Sequence, residues 1–287
     1  MKICVIGAGA WGTALAISSA NAGNTVTLWT FDGECKLFDN VTMPINLCIT
    51  RELSDLHDAD LWLIATPAAF FRETLRKAAE FYNACPIIIC TKGAESTTNK
   101  FMSEILADVL PNCINYGVLS GPQFAAEVAS GLPTGSTLAG NAIVQNVGKI
   151  ALANLDLNFT DDIIGTQLCG IGKNAVALIA GFNTVNASGE NERALIFTKA
   201  WNEIIEIGLK MGAKLRTFSD LCGIGDLFLS ATSMTSRNCS GGASLARGEQ
   251  MQGTVEGVFA INGLIERGTM IGIPTPTLSK MKTNMGL

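Results

Sequence analysis

Hydrophobic positions follow two different rhythms along this chain. Up to about residue 160, short apolar runs rich in branched side chains recur at intervals, the pattern of strands buried on both faces of a parallel sheet. These runs are residues 2–6 (KICVI), 25–29 (TVTLW), 46–50 (NLCIT), 61–65 (LWLIA), 86–90 (PIIIC), 114–119, 134–140 and 156–160. Between them, residues 13–22, 53–58, 70–82 and 99–110 read as helices: 70–82 mixes apolar residues with Arg72, Glu73, Arg76 and Lys77, and 99–110 has the i, i+4 apolar spacing of a sheet-packed face. After about residue 163 the strand rhythm stops. Residues 164–181, 192–211, 221–230 and 254–267 then read as helices separated by Gly, Asn and Ser. The alternation predicts an α/β fold: a Rossmann-like, doubly wound, mainly parallel sheet over residues 1–162, followed by an all-helical C-terminal domain over 163–287. A sheet domain joined to a helical one leads us to expect a ligand cleft between them.

The first strand breaks into Gly7-Ala8-Gly9-Ala10-Trp11-Gly12, and a helix and a second strand follow. A GxGxxG stretch carries weight only in this strand–turn–helix–strand context. Gly7 permits the tight turn, Gly9 admits a pyrophosphate to the backbone, and Gly12 lets helix and strand pack closely. Ala10 and Trp11 start the helix, whose unsatisfied N–H groups and positive dipole end favour phosphate. Asp32 stands about twenty residues past Gly12, where an acid meets the adenosine ribose 2′-hydroxyl. Phe31 is placed to lie on the adenine. With no Arg standing nearby to receive a 2′-phosphate, the pattern favours NAD over NADP. A glycine turn without a ligand, and a polar Asp32-Gly33 turn, are the structural alternatives.

Bulk properties narrow the classes. The 287 residues suffice for two cores, and 48% apolar content indicates a well-buried globular protein. A net charge of −5 gives no electrostatic case for nucleic acid. Lys2, an apolar run and Ala20-Asn21-Ala22 mimic a signal peptide, but the glycines interrupt the run. No uninterrupted apolar run of about eighteen residues suggests a membrane span. The nine cysteines contain no CxxC pair, which points to buried thiols in a reducing cytoplasm and to no metal site. The single histidine, His57, sits in a polar connection and reads as a solvated surface residue.

Without a useful histidine, proton transfer falls to other side chains. Lys173 is the sole charge in a small, apolar helical stretch, LCGIGKNAVALIA at 168–180. Partial desolvation there would bring it towards the range of a general acid, although a lysine snorkelling from a helix margin has the same pattern. Asp226, after Gly223-Ile224-Gly225, is either an acid at a helix N-terminus or a partner for a catalytic lysine. Ser236-Arg237-Asn238 lies in a polar stretch, 235–242, read as a loop whose Arg fork and neighbouring donors suit a phosphate. Lys92 falls at the carboxyl end of a strand, where such sheets bind ligands.

Together with GAGAWGTALA at 7–16, TKG at 91–93, SGPQFAAEVASGLPT at 120–134, GKNAVALIAGF at 172–182, GIGDLFLSATS at 223–233, SRN at 236–238 and VEG at 255–257, these residues resemble the soluble, bacterial type of NAD(P)-dependent glycerol-3-phosphate dehydrogenase. The resemblance covers nearly the whole chain. It implies reversible hydride transfer between sn-glycerol 3-phosphate and dihydroxyacetone phosphate, supplying glycerol 3-phosphate for phospholipid synthesis, in a cytoplasmic enzyme that is ordinarily a homodimer. Lys173 matches the catalytic lysine, Asp226 its associated acid, and Lys92 a second lysine that holds substrate and cofactor. Gly121, Gln123, Asn174, Ser236, Arg237 and Asn238 fall at substrate positions. Ala125, Arg237, Thr254 and Glu256 fall on the cofactor side. Four departures stand out. Thr30-Phe31-Asp32 resembles the NAD-specific eukaryotic pattern, not the Arg of many bacterial members, and Gln123 replaces a usual Ser. The loop after the second strand is short, and the chain ends soon after Pro274-Thr275-Pro276, without the helix that normally follows. Two other readings compete: another two-domain dehydrogenase, acting on a hydroxyacyl-CoA, ketopantoate or 6-phosphogluconate, and a nucleotide-binding protein without catalysis.

Overall fold

The computed structural model describes residues 1–251, 253 and 255–287. It divides into two compact units: Met1–Lys92 with Lys100–Ile163, and Gly93–Asn99 with Ile164–Leu287.

The first unit is built on one eight-stranded sheet. Its strands are β1 (Lys2–Ile6), β2 (Thr25–Trp29), β3 (Leu47–Thr50), β4 (Leu61–Ile64), β5 (Ile87–Ile89), β6 (Tyr116–Ser120), β7 (Gly135–Gly140) and β8 (Asp156–Thr160). They lie in the order β3-β2-β1-β4-β5-β6-β7-β8, and only the β6–β7 pairing is antiparallel. The chain therefore runs outward from β1 in both directions, the doubly wound arrangement. Alternate side chains of β1 serve opposite faces, as the two-residue period of a strand requires. Ile3 and Val5 pack with α1 (Ala10–Asn21), α4 (Ala125–Ala129) and α5 (Ala142–Ala151). Cys4 and Ile6 pack with Trp62 and with Phe71 and Ile105 from α2 (Ala68–Ala78) and α3 (Met102–Val109). Each large apolar side chain withdrawn from water here contributes about 1.5–3 kcal/mol. Helix α5 was not anticipated. Its Asn141 caps it by accepting from the Val144 N–H at 3.1 Å.

The second unit is helical: α6 (Ile163–Asn186), α7 (Glu190–Lys210), α8 (Asp226–Thr232), α9 (Arg237–Ala246), α10 (Glu256–Ile271) and α11 (Pro276–Asn284). Helix α6 passes through its centre. By length and composition it is apolar enough to cross a membrane, although Lys173 and several polar residues interrupt its apolar run, and 78% of its most apolar window is buried inside the protein. Helix α9 crosses it at contact distance. A Cβ on Gly242 would lie 2.0 Å from the Leu178 carbonyl oxygen, and one on Gly181 would lie 1.9 Å from that of Cys239. Residues 93–99 pack on α10, where Asn99 Nδ2 donates to the Gly263 carbonyl at 2.8 Å.

Three sequence expectations need correction. The stretch 235–242 is not a loop: α9 starts at Arg237 and runs straight through it. Residues 221–230 are not one α-helix, since a π-helical turn, Leu221–Gly225, precedes α8. A helix does follow the proline pair, with Pro276 in the first turn of α11 and Glu203 accepting from the N–H groups of Thr277 (2.6 Å) and Leu278 (2.9 Å). None of the nine cysteines is in a disulfide. Seven are buried, but Cys35 is half-buried and Cys48 exposed, so the thiols are not uniformly interior.

Candidate active site

The carboxyl ends of β1 and β4 flank the point where the chain switches direction, the usual ligand crevice of a doubly wound sheet. Gly7 sits there at φ +109°, and a Cβ on it would strike the Thr66 backbone at 2.9 Å. Gly12 packs the helix onto the turn, since its Cβ would lie 1.8 Å from the Gly7 oxygen. Gly9 is different. A Cβ there would meet nothing within 4 Å, and although Gly9 is the N-cap of α1 it brings no side chain to the helix N–H groups. Gly9 and Ala10 are exposed and Trp11 half-buried, so the first turn of α1 faces outward. Helix N–H groups with no capping side chain beside an open glycine suit a pyrophosphate.

Several buried polar atoms on this side of the unit have no protein partner: Trp11 Nε1, Thr66 Oγ1, Ser120 Oγ and Gln123 Nε2. Buried polar atoms are almost always paired, so a set without partners beside the strand ends marks a place where a polar ligand completes the bonding. Lys92 lies in the same group and donates to the Gly121 carbonyl at 3.1 Å. Gly121 also has a packing reason, because its Cβ would come within 2.7 Å of Ser136. Gln123 accepts from Ser136 Oγ at 2.8 Å, which orients its amide, and Ala125 begins α4.

Past β2, Phe31 is 77% exposed, as a stacking surface requires. Asp32 Oδ1 accepts from Thr30 Oγ1 at 2.8 Å and from the Glu34 N–H at 3.1 Å. The Glu34 N–H first, then the Thr30 hydroxyl, hold the Asp32 carboxyl below the usual carboxylate range. One expectation fails here. An arginine does stand nearby: the Arg51 side chain lies against Gly33, with its Cδ 3.2 Å from a Cβ built on that glycine.

In the second unit, Lys173 projects from α6 with its side chain 13% exposed, and Asp226 from the start of α8 with 2%. Lys173 Nζ is 3.3 Å from Asp226 Oδ1. Ser230, one turn further along α8, joins the pair: it accepts from Lys173 Nζ at 2.9 Å and donates to Asp226 Oδ1 at 3.2 Å. Sequence reasoning missed Ser230, although the i, i+4 spacing from Asp226 puts both on one helix face. The Gly-rich π turn presents Asp226, and a Cβ on Gly223 would overlap the Phe218 carbonyl at 2.2 Å.

A second network adjoins Lys173 in sequence. Asn174 Nδ2 donates to Glu256 at 3.0 Å, and Asn174 Oδ1 accepts from Asn238 Nδ2 at 2.8 Å. Asn238 Oδ1 in turn accepts the Gly257 N–H at 2.8 Å. Ser236 is the N-cap of α9, accepting from the Cys239 N–H at 3.4 Å, and the exposed Arg237 occupies the first helical position. Thus Ser236 has a capping role of its own, and the Arg stands at a helix N-terminus, where anions bind. Thr254 lies outside the described residues. His57 is exposed, at the end of the short turn Leu53–Leu56.

A doubly wound sheet with an open glycine turn, and a helical unit holding a buried lysine–carboxylate pair, are the parts a nicotinamide-nucleotide-dependent oxidoreductase needs. Comparison with known proteins makes the class specific. Models of the NAD-dependent glycerol-3-phosphate dehydrogenase N-terminus and C-terminus match residues 2–144 and 162–282. A glycerol-3-phosphate dehydrogenase [NAD(P)+] of Parvibaculum lavamentivorans is 34% identical over 96% of this chain and 89% of its own length. The corresponding protein of Afipia carboxidovorans is 37% identical over the same shares. The crystal structure of glycerol-3-phosphate dehydrogenase from Coxiella burnetii superposes with a TM-score of 0.88 at 28% identity, over 99% of this chain and 94% of that one. This chain belongs to the NAD-dependent glycerol-3-phosphate dehydrogenase family.

Proposed function

We propose that this protein interconverts dihydroxyacetone phosphate and sn-glycerol 3-phosphate with NAD or NADP, and that Lys173 is its general acid and base. The observation that carries the reading is the buried triad of Lys173, Asp226 and Ser230, with Nζ 3.3 Å from the carboxylate and 2.9 Å from the hydroxyl. When bound, the nicotinamide cofactor supplies or accepts the hydride. Lys173 gives a proton to the C2 oxygen during reduction and takes it back during oxidation. Asp226 and Ser230 fix the position of Nζ, since a group misplaced by about 1 Å loses much of its effect. Arg237 and the N-terminus of α9, capped by Ser236, hold the substrate phosphate. Asn174 and Asn238, oriented by each other and by Glu256, line the substrate position.

The uncapped start of α1 and the open face of Gly9 fit the cofactor pyrophosphate, with Gly7, Ala10, Trp11 and Gly12 shaping the turn. Phe31 and Asp32 take the adenosine end. Lys92, Gly121 and Gln123 serve substrate and cofactor, Ala125 and Glu256 serve its nicotinamide end, and the sequence motif alone assigns Thr254 to the same role. On this reading, residues 1–162 form the nucleotide-binding domain and residues 163–287 the substrate domain. A homodimer, a cytoplasmic location and a role in supplying glycerol 3-phosphate for phospholipids complete it. Nine cysteines with no disulfide among them fit a reducing compartment.

Initial rates with dihydroxyacetone phosphate, following NADH and NADPH oxidation separately, test the reaction. Lys173→Ala is expected to abolish turnover while NADH still binds. A folded protein that binds NADH but turns over neither cofactor with this substrate would shift the reading to another two-domain dehydrogenase.

A further inference from the structure

We infer that Arg51 is the receptor for the 2′-phosphate of a phosphorylated nicotinamide nucleotide, which gives this chain a route to NADPH that the residues after β2 do not supply. The inference deepens the dehydrogenase reading and rests on it for the presence of a nucleotide.

The geometry starts from the sheet register. Strands β2 and β3 pair in parallel with Trp29 opposite Thr50, so the residues leaving the two strands emerge side by side. Trp29 Nε1 donates to the Arg51 carbonyl at 3.1 Å and ties the backbone there. The Arg51 stem then runs across Gly33, its Cδ and Cγ lying 3.2 and 3.7 Å from a Cβ built on that glycine. At φ +91° Gly33 already favours glycine, and a side chain would also press on the arginine. The guanidinium begins one bond beyond Cδ, so it sits beside the Asp32–Gly33 turn.

That turn belongs to the nucleotide site. The Lys36 N–H donates to the Ala8 carbonyl at 3.1 Å, folding the segment after β2 back onto the glycine turn. In this fold the adenosine ribose meets the chain just past the second strand, where an acid accepts from the 2′-hydroxyl or an Arg accommodates a 2′-phosphate. Here both types are present, Asp32 from β2 and Arg51 from β3. Arg51 is exposed and, among the described residues, its guanidinium has no hydrogen bond or ion pair. A planar cation with five donors and no protein acceptor matches a phosphate dianion. Asp32 and Glu34 are the opposing charges, and Asp32 Oδ1 is already committed to the Thr30 hydroxyl and the Glu34 N–H.

The test uses the full-length protein and two fragments that differ at the 2′ position, adenosine 2′,5′-bisphosphate and adenosine 5′-monophosphate, each displacing bound NADH. The bisphosphate is expected to bind more tightly by about tenfold or more, the scale of a charge-assisted hydrogen bond. Arg51→Gln should erase that advantage, and Arg51→Lys should retain part of it. In parallel, the ratio of NADPH to NADH affinity should fall in Arg51→Gln by the same factor. A wild-type protein with no preference for the bisphosphate, or a preference that survives Arg51→Gln, would overturn the assignment. If the fragments behave as expected but dihydroxyacetone phosphate is not reduced, the 2′-phosphate site stands and the dehydrogenase reading fails.

Discussion

Ser230 tests the catalytic arrangement most sharply, because nothing but geometry singles it out. Its hydroxyl accepts from Lys173 Nζ at 2.9 Å and donates to Asp226 Oδ1 at 3.2 Å, and it is 3% exposed. Ser230→Ala removes one small polar group and leaves the lysine ammonium with its carboxylate partner 3.3 Å away. A hydrogen bond to a charged group contributes about 1.5–3 kcal/mol. Because Asp226 still holds Nζ, the lower end of that range applies, and about 1.4 kcal/mol of lost positioning is a tenfold fall in kcat. The assay is steady-state NADH oxidation with dihydroxyacetone phosphate, beside NADH binding by fluorescence and a thermal melt. Ser230 acts through Lys173, so kcat should fall while NADH affinity holds. Ser230→Thr, which restores the hydroxyl, should recover most of the rate. A wild-type kcat in Ser230→Ala, or an equal loss in Ser230→Thr, would refute the positioning role and leave Ser230 as a packing residue.

The glycine turn yields a paired prediction. Gly9→Ala adds a methyl that meets no protein atom within 4 Å, so the melting temperature should stay put while NADH affinity collapses. Gly12→Ala instead places a methyl 1.8 Å from the Gly7 oxygen and should cost about 3 kcal/mol of stability. A Gly9→Ala protein that binds NADH normally would remove the pyrophosphate from this turn. The cysteines give a third prediction. Burial pushes the Cys4 and Cys85 thiols up to about 12, so both remain protonated and unreactive well above neutral pH. Iodoacetamide at about pH 8 should therefore label the exposed Cys48 first, as peptide mapping would show, and leave Cys4 and Cys85 unmodified until the protein unfolds. Prompt labelling of Cys4 in the native protein would contradict the packing around β1.

How far the sequence carried the fold depends on which force shaped each segment. Strands at the centre of the sheet declare themselves, because a segment buried on both faces has to be apolar throughout, as Leu61–Ile64 and Ile87–Ile89 are. Helix Ala142–Ala151 hid because Ile143, Val144, Val147 and Ile150 favour strands locally, while only Val144, Gly148 and Ala151 are fully buried. The Arg237–Ala246 helix hid behind residues usually read as loop formers. Its Ser is a cap, and Gly242 is present because a neighbouring helix backbone passes too close for any side chain.

The candidate site divides along the same line. Gly7, Gly9, Gly12, Lys173 and Asp226 are visible because their chemistry is local: a turn of fixed spacing, and single charges in apolar or glycine-rich surroundings. Arg51 was invisible for the opposite reason. Nineteen positions separate it from Asp32 (51 − 32), and nothing in either neighbourhood refers to the other. What joins them is the parallel register that sets Trp29 beside Thr50. Strand ends in a parallel sheet converge on one edge, so residues one or two positions past each strand are neighbours whatever their separation in sequence. Charge selectivity at such an edge belongs to the set of strand ends taken together. An acid read alone after the second strand gives only half of the electrostatics that a ribose or its phosphate meets.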